Sequence, residues 1–198
     1  MRSEDPTQEE RIRAALAAAP RERFLPRSQR RQAGYDGPLT IGHGQTNSQP
    51  RTVTAMLALL DVHPGDAVLD VGSGSGWTTA LLARLTGSTG SVVGVERVPE
   101  LVEMGRANLE RAGTPWAVVH AAEPGVLGWP AGAPFDRVLV SAMAMRLPAE
   151  LVAQVREGGI LVAPVAGVMR RVVRDGTASG GARVTEHGAY RFVPLVED

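Results

Sequence analysis

Val68-Leu69-Asp70-Val71-Gly72-Ser73-Gly74-Ser75-Gly76-Trp77 reads as a short buried strand, a glycine-rich turn and the start of a helix running to about Leu85. A nearly continuous apolar run marks a strand covered on both faces, as in a parallel sheet. Glycines reach backbone angles closed to other residues and let a ligand approach the main chain. In open α/β sheets ligands lie at the carboxyl ends of the strands, which is where this turn falls.

The spacing of the glycines narrows the choice of ligand. A dinucleotide turn is Gly-x-Gly-x-x-Gly, and its third glycine lets helix and strand pack closely. Here Gly76 comes one residue early and Trp77 takes the dinucleotide position. Gly72-x-Gly74-x-Gly76 is similar instead to the turn of class I methyltransferases that use S-adenosylmethionine. The next predicted strand, Ser91 to Val95, is followed at once by Glu96. An acidic residue about 20 residues past the glycines is placed to accept hydrogen bonds from ribose hydroxyls. The plainer account gives the glycines only a turn to make; the acidic partner favours the cofactor account.

Toward the C-terminus strands and helices keep alternating. A helix is predicted from Pro99 to Ala112 with Leu101, Met104 and Leu109 inward, and a strand from Trp116 to His120. A loop rich in Gly and Pro runs to Pro134. Then come a strand from Phe135 to Val140, a helix from Pro148 to Arg156 and a strand from Ile160 to Ala163. Such alternation indicates a parallel sheet with right-handed crossovers. The tail differs: Met169 to Arg174 and Ala182 to Glu186 are β-like around a Gly-rich spacer, which predicts a hairpin. Tyr190 to Leu195 is the last apolar run.

Toward the N-terminus, a helix from Arg51 to Leu60 places Val53, Met56, Leu57 and Leu60 on one face. Tyr35 to Pro50 carries neither helical nor strand period. It holds Gly37, Gly42 and Gly44 with the hydroxyls of Thr40, Thr46 and Ser48, and is either an exposed linker or a binding loop on a rigid scaffold. Asp5 to Ala19 reads as a helix capped by Asp5, with Pro6 in its first turn and Ile12, Leu16 and Ala19 on one stripe. The arginines between Arg11 and Arg31 read as a solvated basic face rather than a phosphate-binding surface.

The expected fold is therefore α/β and Rossmann-like, with a mostly parallel sheet, helices on both faces and an antiparallel C-terminal β extension. One domain is expected in three parts: N-terminal helices and loop over 1–60, a cofactor-binding core over 61–165, and the β extension over 166–198. The 198 residues suit a single domain, and 43% hydrophobic against 21% charged content suits a globular core. The formal net charge of zero gives no overall field toward nucleic acid. There is no cysteine, which removes disulfides, zinc–thiolate sites and cysteine nucleophiles together. No apolar run is long enough to span a membrane and no signal-peptide core precedes the first helix, so a cytoplasmic protein is expected.

Absences narrow the chemistry further. Methyltransferases of exocyclic base amines usually carry Asn or Asp, then Pro-Pro and an aromatic, after the fourth strand; here that place reads Ser141-Ala142-Met143-Ala144. Cytosine C5 enzymes need the missing cysteine. Transfer to a carboxylate oxygen fits better, because that nucleophile is already ionised at neutral pH and the protein has mainly to align it.

The chain resembles the protein-L-isoaspartate (D-aspartate) O-methyltransferase family. The most specific match runs from Asp36 to Pro50, where the family pattern is similar to Pro-Leu-Pro-Ile-Gly-x-Gly-Gln-Thr-Ile-Ser-Gln-Pro. Supporting matches are Arg21-Glu22-x-Phe24, the glycine turn, Pro134-Phe135-Asp136, Gly158-Gly159-x-Leu161-Val162 and Phe192-Val193-Pro194-Leu195. The resemblance implies that Ser48 is catalytic. It implies that Gly72, Ser73, Gly74, Ser75, Gly76, Glu96, Arg97 and Glu123 bind the cofactor, S-adenosylmethionine, leaving S-adenosylhomocysteine. Ile41, Gly42, His43, Gly44, Gln45, Thr46 and Val193 would hold the substrate, an isoaspartyl residue of a damaged protein or peptide. No metal, nucleic acid or membrane is implied, and a monomer is expected. Read without the resemblance, Ser48 is a helix N-cap.

Three departures stand out. Asn47 replaces a usual apolar residue, so a different pocket polarity is expected. Thr40 replaces a proline. The family's Gly-Asp-Gly after the third strand reads Glu123-Pro124-Gly125, so either Glu123 serves from one position away or cofactor binding is weaker. Asn47 and Pro124 keep open a carboxyl methyltransferase acting on a dedicated biosynthetic peptide or a small metabolite, although related peptide-modifying enzymes often carry a further C-terminal domain. A cofactor-binding module without turnover is the third possibility.

Overall fold

The computed structural model describes residues 6–176 and 181–196. In chain order it contains α1 (Gln8–Ala18), β1 (Leu39–Gly42), β2 (Gln45–Asn47), α2 (Pro50–Leu60), β3 (Ala67–Val71), α3 (Trp77–Thr86) and β4 (Ser91–Glu96). There follow α4 (Pro99–Ala112), β5 (Ala117–Ala121), β6 (Phe135–Val140), α5 (Ala149–Ala153), β7 (Val155–Val165), β8 (Val168–Arg174) and β9 (Ala182–Ala189). Short 3-10 turns at Arg21–Phe24 and Arg27–Gln32 join α1 to β1.

Strands β3 to β9 form one sheet in the order β5-β4-β3-β6-β7-β8-β9. The five strands from β5 to β7 are parallel; β8 and β9 return antiparallel. The chain winds outward from β3 through β4 to β5, then restarts on the other side of β3 with β6 and β7. That reversal opens a crevice at the carboxyl ends of β3 and β6.

Side-chain alternation along the strands feeds two cores. Val68, Leu139 and Val162 join a cluster with residues of α1, α2, α3 and α4, while Leu69, Val138 and Leu161 join one containing Leu151 of α5. Each buried Leu or Val contributes about 1.5–3 kcal/mol, so a shift by one residue would exchange the two cores along a whole strand. Gly76 shows why the third glycine comes early. It stands at φ 80°, immediately before α3, and a Cβ there would lie 3.2 Å from Cα and O of Gly105 in α4. It thus lets two helices meet.

Four local expectations change. The N-terminal helix is capped by Thr7, not Asp5, which lies outside the described residues. The Glu10 carboxylate accepts from the Thr7 amide at 2.8 Å while the Thr7 hydroxyl accepts from the Glu10 amide at 3.3 Å. The helix expected to reach Arg156 stops at Ala153, because Val155 already pairs with Phe135 in the sheet; between them the Gln154 side chain donates to Leu127 O at 2.8 Å and accepts from Trp129 N at 2.7 Å. Strand β7 begins at Val155 and carries an irregularity through Gly158, so it exceeds the stretch expected from Ile160 to Ala163. Finally, Tyr35 to Pro50 contains a hairpin. Its strands have four and three residues, too few to display a period, and its turn of Gly42, His43 and Gly44 takes φ values of 99°, 54° and 72°. The tail hairpin forms as β8 and β9, while the middle of its spacer, 177–180, lies outside the described residues.

Candidate active site

The crevice at the switch point is a cavity of about 500 Å³, within the usual range for small-molecule sites. Its floor is the end of β3 with Gly72 and Gly74, the end of β4 with Glu96 and Arg97, and Ser141 and Ala142 after β6. The hairpin closes one side through Ile41, Gln45 and Thr46, and the loop after β5 another through Glu123 to Gly128. The last apolar run closes the mouth. Val193 O accepts from Met143 N, and Leu195 N donates to Met143 O, both at 2.7 Å, so the tail is laced beside the end of β6.

Glu96 is 6% exposed, and both carboxylate oxygens are fixed by main-chain donors: Oε2 by Gly74 N and Oε1 by Val98 N, each at 2.9 Å. Each oxygen keeps a lone pair for a ligand hydroxyl. Asp70, one strand inward, is fully buried. Its Oδ2 accepts from the Thr78 and Thr79 hydroxyls at 2.8 and 2.7 Å, and its Oδ1 from Ser141 at 3.3 Å. Burial raises its pKa to about 6; the three hydroxyls pull it down, and the Glu96 charge adds to the rise. Asp70 thereby ties the root of α3 to the end of β6, beneath the glycine turn.

The residues named from the sequence divide. Gly72, Gly74, Glu96, Arg97 and Glu123 line the cavity, as do Ile41, Gln45, Thr46 and Val193. Ser73, Ser75 and Gly76 belong to the turn but do not line the cavity. Gly76 meets Gly105, and Ser75 is 2% exposed, with its hydroxyl turned to Asn47. Gly42, His43 and Gly44 form the exposed hairpin tip. Ser48 lies just past β2, two residues beyond Thr46. It is not the cap of α2: that position is Gln49, with no side-chain cap, and the Asp36 carboxylate accepts from Arg51 N at 3.1 Å instead. Among the described residues the Ser48 hydroxyl has no hydrogen-bond partner, while its carbonyl accepts from Arg21 at 2.9 Å. Pro124 lines the cavity beside Glu123.

Two expectations about polar residues are corrected. Asn47 does not alter pocket polarity. It is 5% exposed and accepts from Arg21 Nε at 2.7 Å, away from the cavity lining. Arg21 is no part of a solvated face; it is 6% exposed and donates to five backbone carbonyls, Asn47's among them, besides the Asn47 side chain. Burial lowers its pKa, and the nearby Asp36 charge opposes that. Arg146 and Glu150 line the cavity without having been singled out in the sequence. Their position after a parallel strand at the switch point was the signal that could have found them.

This sheet order, with a glycine turn and an acidic strand-end residue at the switch point, defines a class I methyltransferase fold. The family described as Protein-L-isoaspartate(D-aspartate) O-methyltransferase (PCMT) matches residues 1–198. A Methanopyrus kandleri protein named Protein-L-isoaspartate O-methyltransferase is 40% identical over 188 residues, covering 94% of this chain and 83% of its own. A Methanothrix thermoacetophila protein of the same name is 43% identical, covering 94% and 88%. A solved Plasmodium falciparum structure, described as an isoaspartate O-methyltransferase in complex with S-adenosyl-L-homocysteine, aligns with TM-score 0.83 at 24% identity, over 96% of this chain and 91% of that one. That likeness establishes the fold. The chain belongs to the protein-L-isoaspartate(D-aspartate) O-methyltransferase family.

Proposed function

We propose that this chain transfers a methyl group from S-adenosylmethionine to the α-carboxylate of L-isoaspartyl residues in damaged proteins or peptides, acting as a cytoplasmic monomer. The observation that carries the reading is the cavity itself: Glu96, fixed by two backbone amides, stands on one side, and the hairpin that leads to Ser48 on the other. The residues fit the cofactor. Glu96 offers acceptors to ribose hydroxyls, Gly72 and Gly74 present main chain free of side chains, and Val126 and Leu127 offer apolar wall to a flat base. When bound, S-adenosylmethionine supplies a methyl group already activated on a sulfonium.

The chain's own residues align the acceptor. A carboxylate needs no general base, so orientation is the main demand. The unengaged Ser48 hydroxyl donates to one carboxylate oxygen, and the amino end of α2 adds a favourable partial charge. After transfer the following backbone nitrogen attacks the ester carbonyl, methanol leaves, and a succinimide results without further catalysis. Asn47, buried and bonded to Arg21 and Ser75 away from the cavity, takes away one of the two departures that favoured a dedicated biosynthetic substrate.

Ser48→Ala tests the reading. Losing a positioned hydrogen bond to an ionised group costs about 1.5–3 kcal/mol, so kcat/KM for an isoaspartyl peptide should fall about 10- to 150-fold while S-adenosylhomocysteine affinity stays nearly constant. Ser48→Asp, which sets a negative charge against the substrate, should be at least as damaging with the fold retained. Parental turnover in both variants would remove Ser48 from the acceptor site.

A further inference from the structure

Asn47 and Arg21 stand between the two halves of the site without lining its cavity. The Arg21 guanidinium spends its donors on one loop: on Asn47 Oδ1 at 2.7 Å, and on the carbonyls of Tyr35, Gly37, Asn47 and Ser48 at 2.8–3.0 Å, with Ala33 O at 3.4 Å. Its Cζ lies 5.6 Å from the centroid of Trp77, the first residue of α3. Asn47 then reaches out of this loop, donating from Nδ2 to Ser75 Oγ at 3.3 Å. Ser75 is gripped from the opposite side, where its carbonyl accepts from Asn108 of α4 at 2.8 Å. A buried polar chain therefore runs from the acceptor loop through Arg21 and Asn47 into the middle of the glycine turn. An apolar residue at position 47 would leave Arg21 Nε and the Ser75 hydroxyl without these partners.

We propose that Asn47 is a positioning residue that locks the acceptor loop to the glycine turn, so that filling the cofactor site orders the loop that presents Ser48. This rests on the proposed carboxyl methyltransfer for its consequence, ordered binding with cofactor ahead of peptide, but its physical core is separable. Gly72 and Gly74 face the cofactor site, and Ser75, next in the same turn, holds Asn47. A ligand that stiffens the turn stiffens its bonded neighbour, and the coupling is reciprocal between the two sites.

Amide hydrogen exchange of the whole chain, with and without saturating S-adenosylhomocysteine, tests it. The informative amides are those of 33–37 and 47–49, none of which lines the cavity. In the parent protein S-adenosylhomocysteine should slow their exchange at least about fivefold, the low end of ordinary coupling. In Ser75→Ala, which leaves the Arg21–Asn47 bond intact, the slowing should fall below about twofold with S-adenosylhomocysteine still bound. Asn47→Leu, which keeps the branching at Cγ without the polar atoms, should do the same, and Asn47→Gln should restore part of it. Absence of slowing in the parent, or equal slowing in the parent and Ser75→Ala, overturns the proposal. A protein that shows the coupling with S-adenosylhomocysteine yet, supplied with S-adenosylmethionine, methylates no isoaspartyl peptide would sink the proposed activity and leave this link standing.

Discussion

At the scale of single residues the two buried carboxylates do different work. Glu96 is oriented by Gly74 N and Val98 N, so its loss has two effects: ribose hydroxyls lose an acceptor, and two main-chain donors lose theirs. An orphaned donor costs about 1–3 kcal/mol. Glu96→Ala should weaken S-adenosylhomocysteine binding by about 5- to 150-fold in calorimetry, and Glu96→Gln, which sets an N–H against a backbone N–H, should weaken it too. Unchanged affinity in both would take Glu96 out of the site. Asp70 does not itself line the cavity and matters through its ionisation. Its folded pKa of about 6 lies above that of an unfolded aspartate, near 3.8, so the protonated form favours the native state. That contribution is complete below about pH 4 and lost as pH rises through about 6, some 3 kcal/mol in all. Asp70→Asn is neutral throughout and removes the loss. Its stability relative to the parent, from urea unfolding, should rise by that amount between pH 4 and 7; a difference independent of pH would contradict the assignment.

At the scale of elements, the cavity wall after β5 is held by a side chain just past the end of α5. Gln154 bridges Leu127 O and Trp129 N, while Trp129 stacks on His120 at 4.3 Å between ring centroids. Gln154→Ala should therefore cost about 2–4 kcal/mol in unfolding free energy, from two orphaned backbone groups. It should also weaken S-adenosylhomocysteine severalfold, since Leu127 lines the cavity. Loss of stability with unchanged affinity would make the wall independent of this anchor. The elements most legible in the sequence were those with a long period or a continuous apolar run. α4 and β6 have the expected ends because Pro99 starts one, Gly113 follows it, and Phe135 to Val140 is apolar except for Asp136 and Arg137. The hairpin and the start of β7 were not legible, since short strands and a Gly158-Gly159 irregularity carry no period. The roles of Arg21, Asn47 and Gln154 were not legible for a related reason. A buried polar side chain is decided by partners far along the chain: Arg21 and Asn47 are 26 residues apart, and Asn47 and Ser75 28. No local pattern announces such a pairing.

At the scale of the whole molecule, three distant segments converge on one crevice: the hairpin before the sheet, the strand ends within it, and the tail beyond β9 laced to Met143. A glycine turn alone would suit many methyltransferases; the hairpin and the tail make this site particular. The central claim is that the convergence selects an isoaspartyl carboxylate. Its most direct test is radiolabelled methyl transfer from S-adenosylmethionine to an isoaspartyl peptide and to its aspartyl twin, under identical conditions. The account predicts label on the isoaspartyl peptide, released as methanol while the succinimide forms, and none above background on the twin. Equal label on both peptides, or none on either while S-adenosylhomocysteine binds, would contradict it.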